Sequence, residues 1–272
     1  MKVLLNNSEK MYSCSKSTLY KAELKNRTVA IKHIPRRFCV IDSIGNSLET
    51  KALQLLQGYD NIPQHIDTFY EQDDVFIITE WIKGTNAKEY IERRRRPLSE
   101  HDVKNIVYQV ANVLNICNQK FLIYGDTKAE NVMIEPTGKV KMIDFGCTRT
   151  INSVKNCYMG TPIYFSPEMF DKIFIPEYDV WGLGILTYYL ATGSHPFMDT
   201  FYYSKEEFPI IKDTILKKEI TFLHPIWKEW SQDGIHLIRD MLEKDPFKRP
   251  SISHIYKHSW FDNNTVNIYN ID

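Results

Sequence analysis

The chain has 272 residues, 43% of them apolar, and its 34 basic side chains are balanced by 34 acidic ones. That balance excludes a global field drawing in nucleic acid or an anionic membrane, and the apolar content suffices for one large domain or two small lobes around a cleft. Five cysteines, Cys14, Cys39, Cys117, Cys147 and Cys157, form no C-x-x-C pair and are odd in number. This argues against a disulfide framework or a structural zinc site and for a reducing compartment, cytoplasmic or nuclear. Val3-Leu4-Leu5 is too short for a signal peptide, so no membrane partner is expected.

The first eighty residues read mainly as strands. Leu19 to Glu23 and Thr28 to His33 form a predicted hairpin around the polar turn Lys25-Asn26-Arg27, and Val75 to Glu80 is a third β-rich segment. Between them, Ser43 to Gln57 has helical spacing, with Leu48, Ala52, Leu55 and Leu56 on one side and Gly58 as a stop. After Gly84 the pattern turns helical. Val103, Ile106, Val107, Val110, Val113, Leu114 and Cys117 make an apolar stripe, capped by Ser99 with Asp102 three residues on. Arg93 to Arg96 reads as a solvated helix end before Pro97, and Val180 to Ala191 as a buried helix. The shift at about 80–86 marks a hinge between an N-lobe at about 1–80 and a C-lobe at about 87–262, with a polar tail at 263–272. The expected class is α+β.

Ile123-Tyr124-Gly125-Asp126-Thr127-Lys128-Ala129-Glu130-Asn131 sets a carboxylate, an ammonium and an amide at D-x-K-x-x-N spacing, and Asp144-Phe145-Gly146 follows. Phosphoryl transfer from a magnesium nucleotide needs such a set: a carboxylate to orient the attacking hydroxyl, a cation near the γ-phosphate, and oxygen ligands for the metal. Upstream, Val29-Ala30-Ile31-Lys32 places a lysine on an apolar strand, which is costly unless the lysine is paired. Downstream lie Gly160-Thr161-Pro162 to Pro167-Glu168, Asp179-Val180-Trp181-Gly182 and Asp245-Pro246-Phe247-Lys248-Arg249.

Together these motifs, in this order, resemble the eukaryotic-type Ser/Thr protein kinases from about Met11 to about Phe261, leaving no room for a separate regulatory domain. The resemblance implies a bilobal fold, ATP and Mg2+ as cofactors, and a protein substrate with a Ser or Thr acceptor for a monomeric enzyme. It assigns Asp126 as catalytic base, Lys128 as the cation at the γ-phosphoryl group, Lys32 as the phosphate lysine paired with Glu49, and Asn131 with Asp144 as metal ligands. The implied nucleotide contacts are Met11, Tyr12, Cys14, Ser17, Leu19, Ala30, Lys32, Glu49, Thr79, Glu80, Ile82 and Met133, with Thr79 as gatekeeper. Glu168 is expected to pair with Arg249, and Asp179 to support the catalytic-loop backbone. Tyr124, Glu130 and Gly160-Thr161-Pro162 are similar to the cyclic-nucleotide-dependent group, and Glu130 hints at basic residues upstream of the acceptor.

Two departures stand out. Tyr12, Cys14 and Ser17 stand where the family carries the three glycines of its phosphate loop, so slower nucleotide handling is expected. Gly125 replaces the arginine that receives an activation-loop phosphate, and Cys157 stands where a phosphothreonine would be. The glycine-free loop supports one alternative: a pseudokinase scaffold with impaired transfer.

Overall fold

The structure, a computed structural model, describes residues 7–43, 45–71, 74–94, 97–151, 158–199 and 204–261. Five antiparallel strands open the chain: β1 (Glu9–Ser13), β2 (Thr18–Leu24), β3 (Arg27–Pro35), β4 (His65–Glu71) and β5 (Asp74–Glu80), in the order β1-β2-β3-β5-β4. Because side chains alternate along a strand, register sorts them into two sets. Leu19 opposes Lys32, Thr79 opposes Ala30 and Ile77 opposes Lys32, so Leu19, Ala30, Lys32, Ile77 and Thr79 share one face. Ala22, Val29, Ile31, Phe76 and Ile78 occupy the other and form a small core of their own.

The β2–β3 connection is tighter than the sequence suggests. Lys25 and Asn26 both have positive φ, 49° and 63°, the backbone of a two-residue primed turn, and Arg27 already belongs to β3. The strands β1 and β4 were not foreseen. Both lie at sheet edges, β1 is exposed throughout and β4 nearly so, and neither shows the apolar alternation that betrays a half-buried strand.

Helix α1 (Leu48–Leu55) is shorter than the predicted Ser43 to Gln57. The preceding segment is held otherwise: Asn46 N–H donates to Asp42 Oδ1 at 2.8 Å and Ile41 bridges Ser47, whose hydroxyl caps the helix at Thr50 N. The buried stripe is Glu49, Ala52, Leu53 and Leu56, while Leu55, expected inside, is 49% exposed.

A short hinge leads through β6 (Thr85–Asn86) to α2 (Ala87–Arg93), capped by Asn86, and to α3 (Glu100–Gln119), capped by Ser99. The predicted α3 stripe from Val103 to Cys117 is buried at every position named. The strands β7 (Leu122–Ile123), β8 (Val132–Ile134), β9 (Val140–Met142) and β10 (Arg149–Thr150) carry the loops between them, with β7 paired to β10 and β8 to β9. Then follow α4 (Glu177–Thr192), α5 (Phe208–Lys217), α6 (Gln232–Met241) and α7 (Ile252–Tyr256). All but its two end residues are buried in α4, as a central helix must be. One large core joins Ile34 and Leu53 of the sheet side to α3, α4, α6 and α7, so the β-rich part stands on the helical part. No helix of the described residues is long and apolar enough to cross a membrane. The tail at 263–272, Cys157 and the second half of the Arg93 to Arg96 run lie outside the described residues.

Candidate active site

Two groups of side chains, one from the sheet and one from the loops around β7 to β9, face a common crevice. On the sheet side, Lys32 Nζ lies 2.8 Å from Glu49 Oε1 and 2.9 Å from Oε2, and 2.6 Å from Asp144 Oδ1. Burial disfavours the ammonium, but Asp144 and Glu49 outweigh it and hold Lys32 above the ordinary lysine range. The Asp144 side chain is 44% exposed; partial desolvation would raise its carboxyl, yet Lys32 and the Gly146 N–H keep it below the usual value. Asp144 sits in the left-handed region, φ 61°, a conformation aspartate tolerates, and this aims its carboxylate at Lys32. The next side chain, Phe145, is fully buried, edge-on to Tyr124 at 5.2 Å between ring centroids.

On the loop side, Asp126 is the hub. Its Oδ2 accepts from Lys128 Nζ at 2.6 Å and from Asn131 Nδ2 at 3.0 Å, and its Oδ1 accepts from the Thr161 hydroxyl at 2.8 Å. Lys128 Nζ also reaches Thr161 Oγ1 at 2.8 Å, and the Asn131 amide donates to the Asp126 carbonyl at 2.9 Å. Burial lowers and Asp126 raises the Lys128 pKa, with the carboxylate prevailing. Neither Asn131 Oδ1 nor Asp144 Oδ2 is taken by a hydrogen bond among the described residues. Two hard oxygens are thus left over, and Lys32, Glu49, Asp144, Asp126 and Lys128 sum to one negative charge, a donor set and balance that fit Mg2+. Among the described residues no three His, Cys, Asp or Glu side chains cluster as a complete metal cage, so phosphates and water have to complete such a shell.

The loop that bears Asp126 is fixed from below. Asp179, at the start of α4, accepts from Tyr124 N at 2.7 Å and Gly125 N at 2.8 Å. Burial pushes its carboxyl up to about 7 against the pull of those two N–H groups. Tyr124 OH donates to the Ile143 carbonyl at 2.5 Å, tying this loop to the residue before Asp144. Gly125 has φ 85°, and a Cβ there would lie 2.8 Å from Phe174 Cζ and 2.9 Å from the Cys147 carbonyl. Gly160, φ 86°, would place a Cβ 2.7 Å from the Gly125 carbonyl, so the two glycines let the Thr161 segment close against the loop that bears Asp126. Glu168 and Arg249 pair as expected, at 2.7 Å through both guanidinium nitrogens.

The remaining sequence-derived positions lie on the sheet, the hinge, β8 and the β1–β2 hairpin. Leu19, Ala30 and half-buried Thr79 share the Lys32 face, Glu80 and Ile82 bound the hinge, and Met133 points away from the core into which Val132 and Ile134 turn. Met11, Tyr12, Cys14 and Ser17 lie in the β1–β2 hairpin, Met11 as a bulge and Tyr12 inside the strand. Its tip is closed by Cys14 N–H to the Ser17 carbonyl at 2.9 Å, and Ser13 Oγ meets Thr18 Oγ1 at 3.1 Å. With threonine at the edge of the crevice, bulky ATP-site ligands are expected to bind, and Thr79→Met to weaken them at least tenfold; unchanged affinity in a competition assay counts against that placement.

Some contacts were not read from the sequence. Lys141, buried on β9, donates to Glu80 Oε1 at 2.5 Å and to the Ile62 carbonyl at 3.2 Å, clamping the hinge to the loop strands. A lysine between Val140 and Met142 carries the same signal as Lys32, an ammonium on an apolar strand that demands a partner. Lys88, 3.1 Å from Glu130, had no such signal, because it lies on a polar helix turn.

Residues 9–261 match the family described as protein kinase domain. Among similar proteins, CDPK-related kinase 8 of Arabidopsis thaliana is 31% identical over 270 residues, covering 96% of this chain and 42% of that protein. CDPK-related protein kinase of Daucus carota is 29% identical over 93% of the chain and 42% of its own length. Calcium/calmodulin-dependent serine/threonine-protein kinase 1 of Oryza sativa subsp. japonica is 28% identical over 92% and 42%. The chain therefore spans well under half the length of these relatives. A five-stranded sheet bearing a Glu-paired lysine, set on a helical part bearing Asp126, Asn131 and Asp144, is the arrangement the motifs called for, and with the match over 9–261 it makes the chain a member of the eukaryotic-type protein kinase family.

Proposed function

We propose that the chain transfers the γ-phosphoryl group of Mg-ATP to serine or threonine hydroxyls of proteins. The observation that carries this reading is the convergence of Lys32 and Glu49 from one side with Asp144, Asp126, Lys128, Asn131 and Thr161 from the other, joined by the Lys32–Asp144 contact. ATP with Mg2+ supplies the transferable group and neutralises its charge. Asp126 holds the acceptor hydroxyl and takes up its proton, Lys128 faces the charge that develops in transfer, and Lys32, held by Glu49, anchors the phosphates. Asn131 Oδ1 and Asp144 are the oxygen ligands offered to the metal. The Lys128–Thr161 contact supports a small aliphatic hydroxyl as acceptor. A monomeric, intracellular enzyme belongs to the same reading, and Cys14, Cys39, Cys117 and Cys147 are free thiols among the described residues. The test is incorporation of radiolabelled phosphate into a generic basic protein by the wild type and by Asp126→Asn; equal incorporation by both overturns the reading.

Nothing in the hairpin favours the pseudokinase alternative, since its closure leaves Lys32 and Asp144 in contact. Nor does the site need a loop phosphate. A side chain at residue 125 has no room beside Phe174, and Thr148 is buried with its hydroxyl on the Tyr124 carbonyl. Activity is therefore expected to survive phosphatase treatment within about twofold, because no cation at 125 receives the charge. Loss of activity on dephosphorylation, with recovery on rephosphorylation of Thr148, Thr150 or Ser153, is the contrary result; Ser153 lies outside the described residues.

A further inference from the structure

A second carboxylate stands next to the Asp126 cluster. Glu130 belongs to the same short turn as Asn131, and its Oε2 accepts from Tyr164 OH at 3.5 Å. Tyr164 in turn sits three residues after Thr161, whose hydroxyl binds Asp126. A peptide that offers a hydroxyl to Asp126 therefore passes along Tyr164 and Glu130. An open carboxylate at this point would select for basic residues near the acceptor.

Glu130 is not open. Lys88, in the first turn of α2, places its Nζ 3.1 Å from Glu130 Oε1. Its helix neighbour Glu89 is engaged too, accepting from Asn86 Nδ2 and from Arg93 Nη2, each at 3.0 Å. Lys88 and Glu130 are 22% and 36% exposed, so solvent and a substrate side chain both reach the pair. An incoming arginine or lysine must displace an ammonium that is already in place, and gains little by doing so.

Resting on the kinase reading, we infer that Lys88 masks Glu130 and is a specificity-determining residue: the protein acceptor is not selected for flanking basic side chains. This reverses the expectation that Glu130 raises when read alone.

The test compares two labelled peptides with one central serine, one carrying arginines within three residues on both sides and the other alanines at those positions. Equilibrium binding by fluorescence anisotropy and kcat/KM for phosphorylation are both measured, and each is read as the basic-to-neutral ratio. The wild-type ratio is expected to stay within about twofold of one. In Lys88→Met, which keeps an aliphatic stem, the ratio rises about fivefold, the scale of one exposed charge pair. In Lys88→Met/Glu130→Gln it returns to the wild-type value. An unchanged ratio in Lys88→Met, a wild type that already favours the basic peptide tenfold, or failure to bind either peptide overturns the inference. Binding with the expected ratios but without transfer would sink the kinase reading and leave the masking intact; phosphorylation of both peptides with no effect of Lys88→Met does the reverse.

Discussion

Asp126→Asn is expected to lower turnover by ~10²–10⁴, the scale on which a positioned general base acts. The substitution is well suited to isolating chemistry from folding. Asp126 accepts from Thr161 on one oxygen and from Lys128 and Asn131 on the other. An asparagine can turn its carbonyl oxygen toward Lys128 and Asn131 and its amide toward Thr161 Oγ1, a hydroxyl able to accept as well as donate. The hydrogen-bond frame therefore survives while the negative charge and the proton acceptor are lost. Melting temperature and nucleotide affinity should change little, and the loss should appear in kcat. Turnover within about tenfold of wild type would take Asp126 out of the general-base role. Loss of nucleotide affinity in equal measure would place the effect in binding and not in transfer.

The sequence was most legible where chemistry forces a residue type. Lys32 on an apolar strand meets Glu49 and Asp144, Asp126 meets Lys128 and Asn131 at the fixed spacing, and Glu168 pairs with Arg249. Buried helices were legible too, α3 by its periodic stripe and α4 by an apolar run on all sides. Apart from buried Lys141 and its strand, what escaped notice lacked a burial signature. Strand β1 is exposed along its whole length, so its pairing with β2 is set by neighbours and not by its own pattern. The start of α1 shifted to Leu48 because Asp42 and Ser47 satisfy their own local backbone, a competition that periodicity does not register. Lys88 escaped for a different reason: a polar residue on a polar turn has no preferred partner until the fold brings Glu130 beside it.

Glu168→Gln is expected to destabilise the protein by ~3–5 kcal/mol, the usual cost of leaving one buried partner of an ion pair uncompensated. The Arg249 and Glu168 side chains are 0% and 4% exposed, and the guanidinium meets the carboxylate through two bonds of 2.7 Å. Arg249 also donates to the carbonyls of Glu243 at 2.6 Å, Glu177 at 3.0 Å and Lys244 at 3.3 Å, and lies over the Trp181 ring. These contacts hold the guanidinium in place when the carboxylate is neutralised, so the charge cannot escape to solvent. At roughly 2–4 °C per kcal/mol for a domain near this size, the melting temperature should fall by about 6–20 °C. Replacing both residues with methionine should cost less than the sum of the two single losses, since an apolar pair leaves no buried charge behind, even though the carbonyls of Glu243, Glu177 and Lys244 lose a donor. A double mutant as unstable as the sum of two single losses would mean the pair supplies stability and not only the position of the Thr161 to Glu168 segment. Phosphoryl transfer per folded molecule, measured well below the transition, should fall far less than in Asp126→Asn, because Glu168 fixes the end of the acceptor segment and touches none of the groups around Asp126.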